Sequence, residues 1–184
     1  MGRTMTKAEE NYSRVKKYQD EHRKQGLCVQ CPAPALAGKV RCAACLKRRA
    51  AIRKSRRHEA ERLGMCYQCH THKTLPKNRL CEDCYFKRTS VDHFGNHSHW
   101  LALKDLFYSQ GCKCALSGVP MVLGENAELD HITPSSRAGS NDITNTQWVL
   151  CVVNRMKDHM LESEFFGLVE SLYRTMKERN APVH

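Results

Sequence analysis

The sequence predicts an α+β protein: two small four-cysteine zinc modules with connecting helices, followed by a domain built as strand, loop, strand and helix. Three observations predict it. Eight of the eleven cysteines fall into four Cys-x-x-Cys pairs, all before residue 85. The positive charge is confined to the same half of the chain. The C-terminal half sets short apolar runs around a turn-forming loop and then changes to helical spacing. The expected organisation is an N-terminal helix over residues 1–25, a tandem zinc-binding and basic region over 26–94, and a C-terminal domain over 95–184.

The cysteine spacing carries the first part. Cys28-x-x-Cys31 and Cys42-x-x-Cys45 stand ten residues apart, and Cys66-x-x-Cys69 and Cys81-x-x-Cys84 eleven apart. One Cys-x-x-Cys turn places two thiolates on a Zn²⁺ ion, and a second turn completes its tetrahedron. The arrangement is also a repeat. Gly26-Leu27-Cys28 returns 38 residues later as Gly64-Met65-Cys66, and Cys45-Leu46-Lys47-Arg48 is echoed by Cys84-Tyr85-Phe86-Lys87-Arg88. Disulfides fit poorly, because the cysteine count is odd, the N-terminus is charged and polar where a signal peptide is apolar, and paired Cys-x-x-Cys turns have metal-ligand spacing. His70 and His72 lie inside the second loop, but four cysteines already suffice.

Charge divides the chain in the same way. Residues 1–97 hold 22 Lys+Arg against 9 Asp+Glu, a balance of +13, which leaves −2 for the remainder and +11 in all. Each Zn²⁺ on four thiolates adds a net charge of about −2, so the surplus survives metal loading. Such a surplus suits a polyanionic partner. The densest run, Lys47 to Arg62, carries Arg48, Arg49, Arg53, Lys54, Arg56 and Arg57 around Ala50, Ala51 and Ile52. It reads as a helix too polar for a core, laid along nucleic acid phosphates.

The remaining helices read as scaffold. Thr6 to Gln25 is solvent-facing, with a thin stripe of Tyr12, Val15 and Tyr18 that suits either the first zinc module or another chain, so oligomeric state stays open. Gly95-Asn96-His97-Ser98 is the expected linker, and Ser98 the expected cap of a helix from about His99 to Ser109. Trp100, Leu101, Leu103, Leu106 and Phe107 recur there at core spacing. A last helix from Ser163 is expected to pack Phe165, Phe166, Leu168, Val169, Leu172 and Tyr173 against the strands.

Those strands are the most informative segment. Glu128 to Thr133 reads as a strand stopped by Pro134; Ser135 to Asn141 is turn-forming; Asn145 to Leu150 is a second strand or the entry to a helix. Asn154 and Lys157 lie three apart on the following helix and face the same way. With Asp130-His131, Asn145, Asn154 and Lys157 so spaced, residues of roughly 100 to 180 resemble the HNH endonucleases in their His-Asn-Asn variant. Cys114-Ala115-Leu116-Ser117-Gly118, Gln147-Trp148-Val149 and Asn154-Arg155-Met156-Lys157 resemble phage-type, homing members in particular.

The resemblance implies a ββα-metal nuclease domain and metal-dependent phosphodiester hydrolysis. His131 is then the base, since imidazole accepts a proton near neutral pH. Asp130 and Asn154 offer oxygens suited to Mg²⁺ or Mn²⁺. Asn145 is expected to brace the loop that aims the histidine, Lys157 and Arg155 to steady phosphate, and His159 stands as a further candidate ligand. Many HNH members also carry a structural zinc on two Cys-x-x-Cys pairs. Here the corresponding positions are Cys114 with Ser117 and Leu150 with Val153, so that zinc is expected to be lost to apolar packing. Cys112, Cys114 and Cys151 then read as buried thiols, the alternative being a metal shared with His97 or His99.

The expected partner is double-stranded DNA, with RNA as the alternative. Neither a transmembrane run nor a lipidation signal is present, so no membrane partner is expected, and the expected setting is the cytoplasm of a bacterial or phage-infected cell. Two other classes share these features: a nucleic-acid-binding protein with a relic nuclease domain, and a ribonucleoprotein component.

Overall fold

Residues 6–180 are described in a computed structural model, and the chain falls into two units, Met1–Glu59 and Ala60–His184. The fold mixes helices with one small two-stranded sheet.

In the first unit, α1 (Lys7–Lys24) starts at a capping box: the Thr6 hydroxyl accepts from the Glu9 N–H, and the Glu9 carboxylate accepts from the Thr6 N–H. None of its residues is buried, as its polar composition dictates. His22 near its end lies 2.7 Å through Nδ1 from the Cys28 carbonyl, which ties the helix to the first cysteine turn. The second helix, α2 (Ala43–Arg62), begins four residues before the expected Lys47. The extension starts the helix directly after Cys42 and puts Cys45 in its first turn. Every residue from Lys47 to Glu59 is exposed, and the division between the units falls within this helix.

The second unit contains the second cysteine module, α3 (Glu82–Phe94), α4 (Trp100–Ser109), β1 (Ala127–His131), β2 (Thr146–Leu150), α5 (Cys151–Lys157) and α6 (Glu162–Arg179). The expected boundary at residue 95 therefore lies inside one unit. Its physical cause is Phe86 of α3, which is fully buried in the same cluster as Leu103, Phe107, Trp148 and Val149. Gly95, at φ 74°, turns the chain so that α3 and α4 pack on each other. Lys104 of α4 then pairs with Glu82 and Asp83 in the first turn of α3, 2.7 and 2.9 Å away. Ser98 does not cap α4: His99 holds that position, and the Ser98 backbone and hydroxyl both turn to the Asn96 side chain. Leu101, expected in the core, is 55% exposed.

The strands pair antiparallel, Asp130 opposite Gln147 and Leu129 opposite Trp148. Trp148 anchors the sheet. Its indole Nε1 donates to the Leu103 carbonyl at 3.0 Å, and its backbone exchanges hydrogen bonds with the Gln110 side chain. The helix α5 follows β2 without a loop, so residues of both strands and of α5 are neighbours.

Three turns in the chain share one hydrogen-bond pattern. Leu27 bridges Pro34, Met65 bridges Lys73 and Lys113 bridges Pro120; the next residue in each case, Cys28, Cys66 or Cys114, donates its N–H back across the turn. A helix begins directly after Cys42, Cys81 and Leu150 in turn. The third module thus keeps the shape of the first two, with Ser117, Leu150 and Val153 at the places of cysteines. Cys114 is buried as expected, but Cys112 and Cys151 are only partly so.

The last helix departs from expectation. Phe165 alone is buried, while Phe166, Leu168, Val169, Leu172 and Tyr173 remain 38 to 55% exposed. Only its first turns meet the body of the unit, where Gln147 Nε2 donates to Glu162 at 2.8 Å. No described helix is long and apolar enough to cross a membrane.

Candidate functional site

The two cysteine quartets converge as their spacing requires. Cys28, Cys31, Cys42 and Cys45 form one cluster and Cys66, Cys69, Cys81 and Cys84 the other, with all ligand atoms of a cluster within 4.8 Å of one another. Cys31 Sγ lies 3.6 Å from both Cys42 and Cys45, and Cys69 Sγ 3.7 Å from Cys81. A tetrahedron of thiolates about 2.3 Å from Zn²⁺ has edges of about 3.8 Å, so the residues fit that ion. Backbone N–H groups of Gln30 and Cys45 point at Cys28 and Cys42 sulfurs, the usual support for a metal-bound thiolate.

Protonation follows from the crowding. Burial raises a thiol, yet hydrogen bonds from the Cys42 and Gln30 backbone and the Cys31 thiol bring Cys28 down to about 6. Cys45 is pushed up to about 12, first by its bond to Cys31 and then by burial. Burial likewise raises Cys84, whereas Cys69 falls to about 5 because hydrogen bonds from Thr71 and His72 outweigh burial. Four thiols in one place cannot all ionise unaided; a divalent cation removes that conflict. Either quartet could hold a structural zinc ion.

The hairpin and α5 build a second site. Asp130, His131, Asn154, Arg155 and His159 line one cavity of about 350 Å³, together with Pro134 to Ser136. Asp130 is buried at the end of β1, where its Oδ2 accepts from Lys157 Nζ at 3.0 Å and from Gln147 Nε2 at 3.4 Å. Asn154 Nδ2 donates to Glu128 Oε2 at 3.1 Å. Each residue therefore keeps its Oδ1 without a hydrogen-bond partner among the described residues. Asp130 and Asn154 are thus the candidate oxygen ligands that this cavity offers.

Asn145 lies away from the cavity and clamps the loop between the strands. Its Oδ1 accepts from the Thr133 N–H at 2.9 Å, and its Nδ2 donates to the carbonyls of Thr133 and Ser140 at 3.0 and 2.8 Å. Lys157 lies on the inner side of α5. Its side chain is fully buried, paired with Asp130 and donating to the His131 carbonyl at 2.9 Å, so it has no reach to a phosphate. Its place on α5 beneath the strand, rather than on the open face, is the cause. Arg155 is 78% exposed, 3.9 Å from Glu128, and stays available. Arg48, Arg49, Arg53, Lys54, Arg56 and Arg57 all sit on the exposed stretch of α2.

Three residues of this site escaped the sequence reading. Glu128 fixes the Asn154 amide; its position two before Asp130 put it on the same face of β1 and was the available signal. Gly139 passes so close to the Thr133 backbone that a Cβ would stand 1.8 Å from its carbonyl oxygen. Asn141 meets His131, its Oδ1 3.2 Å from Nε2, and no spacing rule marks it. From α3, His93 stacks loosely near His131 at 5.8 Å between rings. Burial, and then the neighbouring His131, hold His93 below the ordinary histidine range.

Among described residues, no other group of His, Cys, Asp and Glu gathers as metal ligands; His97 is instead within 3.2 Å of the Lys87 carbonyl. No protein-family model matches this chain, and no curated protein matches it.

Proposed function

We propose that this protein is a metal-dependent DNA endonuclease of the HNH type, in its His-Asn-Asn variant, cutting at specific sites in the manner of homing enzymes. The supporting observation is the single cavity shared by Asp130, His131 and Asn154 at the end of the hairpin. His131 takes the proton from the attacking water. Asp130 and Asn154 hold Mg²⁺ or Mn²⁺, which when bound offsets the negative charge gathering on the phosphoryl and leaving oxygens. Asn145 keeps the loop in shape, and Lys157 holds Asp130 and the end of β1 in place from beneath. Arg155 meets phosphate at the rim.

The two four-cysteine modules bind Zn²⁺ structurally, and the arginines of α2 hold the duplex. A C-terminal half with a charge of −2 needs such an anchor. One hydrolytic site per chain gives a nick as the primary product. The test is supercoiled plasmid DNA, including the protein's own genomic neighbourhood, with Mg²⁺ or EDTA. Mg²⁺-dependent conversion to nicked circle supports the reading; intact plasmid on every such DNA contradicts it.

The exposed basic helix also favours a second reading, a nucleic-acid-binding or ribonucleoprotein component that does not cut. Copurifying nucleic acid removed by RNase, with no cleavage, supports that one.

A further inference from the structure

We propose that Asn141 is a positioning residue that fixes the tautomer of His131, and that it takes its own orientation from the end of α3 in the second cysteine module. The proposal rests on the nuclease reading only for its kinetic consequence.

The argument starts at the C-terminus of α3. The last carbonyls of a helix lack intrahelical donors. At this end the Gly95 N–H satisfies Val91, and the Asn96 side chain satisfies Phe94. The His93 carbonyl receives the Asn141 Nδ2, 3.1 Å away. A carbonyl oxygen only accepts, so the side of the Asn141 amide that faces it must be NH₂. The other side, Oδ1, then faces His131 Nε2 at 3.2 Å, and an amide oxygen only accepts as well. Nε2 must carry the hydrogen. The neutral ring is left with its lone pair on Nδ1, the nitrogen free to take a proton from water.

The loop makes this geometry dependable. Asn145 binds the carbonyl of Ser140, directly before Asn141, and Gly139 passes against Thr133 where no side chain fits. The helix that supplies the His93 carbonyl begins directly after Cys81 and carries Cys84 in its first turn. The second metal module therefore serves the base as well as the fold, a role that neither cysteine spacing nor basic charge conveys.

The experiment is ¹⁵N–¹H correlation of the histidine side chains in the full, zinc-loaded chain, at a pH where His131 is neutral, with His131→Gln to assign its signals. The wild type is expected to show the Nε2-H tautomer. In Asn141→Leu the two tautomers should mix, because no acceptor then faces Nε2. An Nδ1-H wild type, or an unchanged tautomer in Asn141→Leu, would overturn the proposal. Near-ultraviolet circular dichroism of the tryptophans establishes that each variant is folded, and the wild-type spectrum decides the matter even where a variant is not. On cleaved DNA, kcat should fall about 10- to 100-fold in Asn141→Leu with KM unchanged. A wild type that cuts nothing counts against the nuclease reading, whereas the tautomer stands or falls on the spectrum alone.

Discussion

Lys157 Nζ lies 3.0 Å from Asp130 Oδ2, with the lysine side chain fully buried and its remaining hydrogen-bonding capacity spent partly on the His131 carbonyl. One cation thus holds both members of the Asp130-His131 pair, the first by its carboxylate and the second by its backbone. Removing it leaves a buried carboxylate with the Gln147 amide but no charged partner. Lys157→Met is expected to destabilise the second unit by about 3–5 kcal/mol, read from urea denaturation. A loss under about 1 kcal/mol would mean that Asp130 finds water in its place.

The two metal modules should differ in what their loss does. The second quartet shares a unit with Trp148 through Tyr85 and Phe86, and Tyr85 donates to the Ala127 carbonyl of β1 at 3.2 Å. Cys66→Ser should therefore disturb the tryptophan circular dichroism and abolish cutting. Cys28→Ser should leave that signal intact and weaken DNA binding. Equal effects of both substitutions on the tryptophan signal would contradict the division of roles.

Gly139 offers a test of the loop that owes nothing to charge. A Cβ there meets the Thr133 carbonyl oxygen at 1.8 Å, so Gly139→Ala must move backbone rather than a side chain. Cleavage should fall at least tenfold while zinc content, measured by atomic absorption, stays at the wild-type value. Full activity would show that the loop has another conformation to work from.

Binding by α2 is a matter of salt. Arg53 and Arg56 are exposed and each displaces about one counterion from duplex DNA. The double change to alanine should weaken affinity and reduce the slope of log K against log salt by about 1.8. An unchanged slope places the interface elsewhere.

How much of this was legible in the sequence depends on what kind of contact each residue makes. Cysteine spacing encodes a local turn, so both quartets were readable, as was the strand before the Ser135–Asn141 loop, whereas Asn145 to Leu150 reads equally as a strand or the entry to a helix. The burial of Lys157 is not legible, because a lysine near an acidic site is ordinarily a solvent-facing cation and only packing reveals a buried one. The shared core across Gly95 is hidden for a similar reason: a glycine turn marks a change of direction, and whether the helices on either side share a core depends on Phe86 meeting Trp148, which lies far away in sequence. Apolar spacing in α6 met the helical period, but periodicity says which face is apolar and not whether anything covers it. Asn141 was invisible because its partners come from α3 and β1 together.

The most direct test of the central claim compares wild type with His131→Ala on the same cleavable DNA, following both nicking rate in Mg²⁺ and binding affinity. General-base catalysis contributes about 10²- to 10⁴-fold, so the variant should lose nicking by at least a hundredfold while binding DNA as the wild type does. Retention of wild-type cutting by His131→Ala would contradict the account.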